Sequence, residues 1–230
     1  KAQGTRTFWY NPTDEADTFI LYSPADFRGF QELSKTTNFA ENGKQDTVKL
    51  GIDIDLNPTF DASAYSKIDG TGTVASSLWE PIGYWSGSTG SKKFAGIFNG
   101  NMHTVSGVCL IQEGGSHTLG LFGEVSGATI QNFTLSNSYF YVGSTAGKTY
   151  TGRIVGVLNG TLNTVKSDET VKVEIATAKE YNGGMVGVST GSSLISNCWF
   201  AGKLSGSGVR QGGISGGMYT SGSICTVENC

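Results

Sequence analysis

Few side chains in this chain could do chemistry, and their spacing is the informative part. Asp53 and Asp55, in the run VKLGIDIDL, lie two residues apart. An extended strand would put both carboxylates on one face about 7 Å apart. Two carboxylates so placed could in principle flank a glycosidic bond; the plainer reading is a solvated outer face. Acids are otherwise sparse: Gly70 to Ser167 holds only Glu80, Glu113 and Glu124, and Tyr181 to Val227 holds none. Neither His103 nor His117, the latter in a Gly-Gly-Ser-His loop, has the HExxH spacing of a metalloprotease. No serine sits in a GxSxG elbow, and the four cysteines form no CxxC pair, so zinc is not indicated. No catalytic residue, metal ligand or cofactor is expected.

Aromatic residues are the better lead. Tyr84 and Trp85 stand in a Gly/Ser-rich stretch with Lys92 and Lys93 close behind. Aromatic faces flanked by donors suit sugar rings or a protein partner. The competing reading has Trp85 folded down over the body as a plug. Trp199 alternates with Cys198 and Phe200, so it should face outward; Tyr139 and Tyr141 likewise share a face opposite Phe140. Tyr84, Trp85, Lys92, Lys93 and Trp199 are therefore the candidate binding residues.

These side chains need a scaffold, and the scaffold is a repeat. The stretch GLFGEVSGATIQNFTL from Gly120 returns in altered form at Arg153, Gly184 and Gly213, setting Asn132 opposite Thr164, Asn197 and Asn229 at gaps of 32, 33 and 32 residues. A shorter copy upstream has Gly107 in the asparagine place. A fixed period in this range marks stacked units that bury their apolar faces on one another. Inside each copy the apolar residues alternate, which is a strand period. No helical pattern separates the strands, so the copies should stack as parallel coils. That predicts ladders of Leu121, Ile154, Met185 and Ile214, and of Ile130, Leu162, Ile195 and Val227. The asparagine column should turn corners in left-handed geometry, with one rung weakened at Thr164. Cys198 and Cys230 share a repeat position and are expected as stacked reduced thiols. The fold class is all-β, a right-handed parallel β-helix; a propeller is the rival but needs longer units.

The repeat resembles the GLUG motif of secreted bacterial surface proteins, including non-catalytic parts of immunoglobulin A1 peptidase-like proteins. Trp79-Glu80-Pro81-Ile82-Gly83, the run Phe94 to Val105 and Asp53 to Leu56 resemble further parts of that family, so the likeness spans most of the chain from about Ser23. Asn99 stands where the family usually has Asp, and Met102 where it has Gly, so a cation or turn role of that Asp does not carry over. The resemblance implies an extracellular β-helix with adhesion as its role, a turn in which His103 bonds backbone, and no catalytic residue.

Composition agrees with a single domain of this kind. In 230 residues there are 34 glycines and 4 prolines, and charged residues make up 15% with a net charge of −3. That argues against nucleic acid, which calls for a basic stripe, and no apolar run is long enough to span a bilayer. Residues 1–22 are expected to be irregular. Ser23 is a good N-cap and Pro24 fits the first helical position, so a helix over about 23–35 should cap the first coil with Phe27, Phe30 and Leu33. Val48 to Leu56 should form the first long strand, apolar face inward, after a polar loop from Thr36 to Asp46. Asn57 to Ser77 and Tyr84 to Lys93 read as excursions, and a single β-helix domain fills 23–230, truncated at its C-terminus. The expected function is a monomeric, exported, cell-surface adhesin-like module, its signal peptide removed, that binds host glycan or protein or presents loops as a spacer. The alternative is an accessory non-catalytic domain of a secreted peptidase or polysaccharide-degrading enzyme.

Overall fold

A computed structural model describes residues 4–11, 15–84, 92–176, 181–204, 210–218 and 222–230. Its elements in chain order begin with β1 (Thr18–Leu21), α1 (Pro24–Leu33), β2 (Ala40–Glu41), β3 (Lys44–Gln45), β4 (Thr47–Leu50) and β5 (Ile54–Asp55). The long strands follow: β6 (Ile97–Ser106), β7 (Cys109–Leu119), β8 (Phe122–Ser136), β9 (Tyr139–Gly152) and β10 (Val155–Ser167). Shorter ones complete the chain: β11 (Lys172–Ile175), β12 (Tyr181–Gly183), β13 (Val186–Ser189), β14 (Ser192–Ser196), β15 (Trp199–Phe200), β16 (Arg210–Gly212) and β17 (Ile224–Glu228). Every pairing between these strands is parallel except the β2–β3 hairpin, and the coils stack as a parallel β-helix of about 6 turns. The first sheet runs β1-β4-β6-β8-β10-β14-β17, and the second carries β9 between β7 and β11, with β12 and β16 further along.

The period sets the register. Ile130 pairs with Leu162, Leu162 with Ile195 and Ile195 with Val227, while Leu121, Ile154 and Met185 are fully buried in a column of their own. Each coil leaves one apolar rung for the next to cover, so burial accumulates along the stack and not within any one turn. Phe98, Phe122 and Phe133 fill the first coils and α1 closes their end. Ser23 Oγ accepts the Asp26 N–H at 3.1 Å, the cap expected for this helix. Phe27 and Phe30 are completely buried, Phe27 stacked on Trp79 at 5.5 Å and Phe30 on Phe98 at 5.8 Å; Leu33 is only half-buried.

Several expectations change. The segment before the helix contains β1, which pairs Thr18 to Leu21 with Thr47 to Leu50 and lies at the end of the first sheet. The run from Val48 to Leu56 is two strands, because the chain turns at Gly51 to Asp53 and leaves Ile52 41% exposed. An alternating pattern continues unbroken through a corner when a single residue of it faces out, so period alone could not mark the break. The polar loop from Thr36 to Asp46 contains the β2–β3 hairpin. Gly107 is not in the asparagine column: it donates to Asn137 O and, at φ +71°, stacks on Asn137 at a second corner. Met102 (φ +65°) precedes His103, which pairs with Phe133, and so Met102 takes the place opposite Asn132. Tyr139 and Tyr141 do not face solvent; with Phe60, Tyr65 and Cys109 they form a second core beneath the Asn57–Ser77 excursion.

The asparagine column exists, with Asn132, Thr164, Asn197 and Asn229 at φ +61°, +54°, +53° and +53°. Asn132 Nδ2 donates to Asn99 Oδ1 at 3.2 Å and Asn229 Nδ2 to Asn197 Oδ1 at 3.4 Å. At the expected weak rung the ladder reroutes: Asn163 Oδ1 accepts from Thr164 Oγ1, Ser196 Oγ and Asn197 Nδ2. Cys198 and Cys230 are free thiols in adjacent coils, the Cys198 N–H donating to Cys230 Sγ at 3.4 Å, and burial pushes the Cys198 thiol up to about 11.

Candidate functional site: an aromatic groove beside the asparagine column

Strand pairing alone assembles this site. Two residues after each corner the side chain points outward, and that position reads Thr104, Thr134, Lys166 and Trp199 on successive coils, paired in register. Trp199 is 52% exposed, and the Lys166 ammonium sits over its ring at 4.1 Å from the centroid. Such a cation over an indole face is a stabilising contact even at a surface. A groove of about 200 Å³ lies here, lined by Met102, Thr134, Thr164, Lys166, Asn197 and Trp199 above the buried Phe133 and Val165. Met102 is the most exposed apolar side chain of the corner, at 73%. No acid lines the groove. It offers an aromatic plane, a methionine, hydroxyl and amide groups and one cation, which is equipment for binding.

The other sequence candidates lie outside this groove. Tyr84 stacks on His117 with centroids 5.5 Å apart and planes 16° from parallel, and its hydroxyl meets His117 Nδ1 at 2.6 Å. Lys93 pairs with Glu124 at 2.8 Å and Lys92 is exposed. Trp85 lies outside the described residues. His117 is not in a loop but within β7, buried, its Nε2 bonded to Gly114 O. With Nε2–H donating there, Nδ1 accepts a hydrogen bond from the Tyr84 hydroxyl. Burial lowers the His117 pKa, against the raising effect of the Gly114 carbonyl.

The acids are engaged in structure. Asp53 and Asp55 do not share a strand, since Asp53 lies in the turn before β5. Asp53 Oδ1 accepts the Thr104 N–H at 2.9 Å and meets His103 Nδ1 at 3.1 Å, so His103 bonds a carboxylate and not the expected backbone group. The Thr104 N–H above all holds the Asp53 carboxyl below the usual range, with His103 helping. Asp55 Oδ1 caps the Asn57 N–H.

Sequence reasoning passed over Glu174. It is buried in β11, where it accepts from the Tyr139 hydroxyl, from Lys172 Nζ at 2.9 Å and from the Ile68 N–H at 3.3 Å. Burial works against its charge, but these hydrogen bonds outweigh it and keep the carboxyl low. The same contacts fasten the Asn57–Ser77 excursion to the coils, as does Lys172 Nζ on Tyr65 O. A larger groove of about 330 Å³ runs past Glu174, Lys172, Glu169 and Lys203. Its facing charges already neutralise one another in part, and it has no aromatic lining. The signal for the Trp199 groove was in the repeat, since Thr134, Lys166 and Trp199 keep the asparagine spacing. For Glu174 no such periodic signal exists.

No family model matches the chain, and no solved structure matches it. A stretch of 174 residues, 75% of this chain, is 30% identical to Halomucin of Haloquadratum walsbyi (strain DSM 16790 / HBSQ001). It spans about 2% of that protein's length. Among the described residues no helix is long and apolar enough to cross a membrane, and no group of three or more His, Cys, Asp or Glu could hold a metal ion.

Proposed function

We propose that this chain is a monomeric, non-catalytic segment of an exported, surface-located β-helix protein, adhesin-like in the manner of the GLUG-motif proteins it resembles, binding a glycan or protein through its coil surface. The observation that carries the reading is the half-exposed Trp199 face in a groove without acids. Glycoside cleavage by the usual route needs two carboxylates flanking one bond. Here Asp53 and Asp55 hold turns, and Glu174 holds an excursion. Binding asks only for a platform and a few polar neighbours, with modest affinity. The partial match to a far longer protein suits a coil segment whose role is to extend and present.

A glycan array run beside a reducing-sugar release assay on the same panel tests this. The expected result is binding that Trp199→Ala abolishes, with no sugar released. Product release that disappears in Glu174→Gln or Asp53→Asn would overturn the non-catalytic reading. An array without any bound glycan would remove the glycan half of the proposal.

A further inference from the structure

Resting on that binding reading, we propose that the Trp199 groove is a subsite for one acidic sugar residue, a carboxylated pyranose whose carboxylate draws the Lys166 ammonium off the indole and whose ring takes its place on Trp199. Three observations lead there. The first is the cation. Lys166 makes no ion pair among the described residues, and its ammonium lies instead over the Trp199 ring at 4.1 Å. A positive charge held by an aromatic face is partly stripped of water, and it gains more from an arriving carboxylate than a fully hydrated lysine would.

The second is charge selection by the lining. Met102, Phe133, Thr134, Thr164, Val165, Asn197 and Trp199 contribute no negative group, so Lys166 is the one charged side chain of the lining. A cationic ligand would meet Lys166 uncompensated. A neutral sugar would keep the stacking and lose the ion pair. The contrast with the larger groove is instructive, because there Lys172 is already answered by Glu174 at 2.9 Å.

The third is shape. At about 200 Å³ the groove is smaller than sites for drug-sized ligands, which begin at about 300 Å³. It therefore has room for a single ring. An apolar wall with an indole on it suits the C–H face of a pyranose, and the Thr134 hydroxyl stands on the same outward row for the ring hydroxyls. Asn197 Oδ1 accepts from Asn229 and keeps a second lone pair for the ligand. An acidic peptide side chain would offer the carboxylate alone, without a saturated ring to cover the indole.

The test titrates the 230-residue chain with methyl β-D-glucuronide, with methyl β-D-glucoside as its uncharged counterpart, and with N-acetylglutamate amide, following each by saturation-transfer NMR and calorimetry. Binding of the glucuronide should be about tenfold tighter than that of the glucoside, the size of one charge-assisted contact, and should weaken with salt. Lys166→Gln should bring it down to the glucoside level, Lys166→Arg should restore much of the difference, and Trp199→Ala should abolish binding of both sugars. Circular dichroism of each variant checks that the fold is intact. Equal affinity for the two glycosides, or a preference that survives Lys166→Gln, overturns the acidic-sugar assignment while Trp199-dependent sugar binding leaves the broader reading standing. Glutamate amide binding as tightly as the glucuronide, with the same dependence on Lys166, also overturns it, in favour of a peptide ligand. If no saccharide binds, this assignment and the glycan reading fall together.

Discussion

At the scale of single residues, the corners decide how firmly a coil is held. Thr164 adopts φ +54°, where Asn132, Asn197 and Asn229 hold the same corner of the neighbouring repeats. A β-branched residue in left-handed geometry is strained by about 1–2 kcal/mol, and Asn163 only partly offsets this by accepting its hydroxyl at 3.1 Å. Thr164→Asn should therefore raise stability by about 1 kcal/mol, read as a shift in the urea midpoint at constant slope. Unchanged or reduced stability would sink the strain argument. His117 supplies a second residue-scale expectation. Burial holds its folded pKa below the ordinary value near 6.5. Between those two pKa values the unfolded chain binds more protons than the native one, so stability must fall as pH drops through the window below about 6.5. The loss between pH 7 and pH 5 should be smaller in His117→Gln. An identical pH slope in that variant would mean that another group is responsible.

At the scale of elements, α1 is the piece whose loss should matter most to the first coils. A stack with an uncovered end leaves its apolar cross-section in water. Phe27 and Phe30 cover it, Phe30 meeting Phe39, Phe94, Phe98 and Phe122 at ring distances from 5.0 to 6.2 Å. Phe30→Ala should cost about 3–5 kcal/mol, seen as a lower denaturation midpoint. Melting indistinguishable from the parent would show that α1 is an ornament on the stack. The Asn57–Ser77 excursion is the second such element, pinned by Asn137, Tyr139, Lys172 and Glu174 over a tyrosine-rich core. Its polar composition reads as a loop, and those long-range bonds together with that core make it part of the body.

At the scale of the whole molecule, the two sheets approach until backbone meets backbone. A Cβ built on Gly187, in β13 of the first sheet, would lie 2.7 Å from Thr151 N in β9 of the second and 2.6 Å from Gly156 O. Neither backbone atom can swing aside as a side chain could. Gly187→Ala should thus lose about 1–3 kcal/mol or more, whereas Gly213→Ala, with open space around its Cβ, should be close to neutral. The comparison is made by thermal melting of both variants. Equal effects would mean that the two sheets are not pressed together at Gly187.

The sequence by itself determined the parallel stack, the ladders, the capping helix and the outward side of Trp199. Each of these follows from a period, and a period is a local property repeated along the chain. The tertiary structure alone decided where the alternating run after Val48 bends, which corner Gly107 occupies and what covers Tyr139. It also decided that Glu174 is a clamp and that Lys166 rests on an indole. A side chain's partner across coils depends on which strands are neighbours and on how an excursion folds back, and neither distance is written in local pattern. Tyr139 and Trp199 read alike as outward-facing aromatics. One is buried because the Asn57–Ser77 excursion descends over it; the other remains half in solvent because no described segment crosses its coil face.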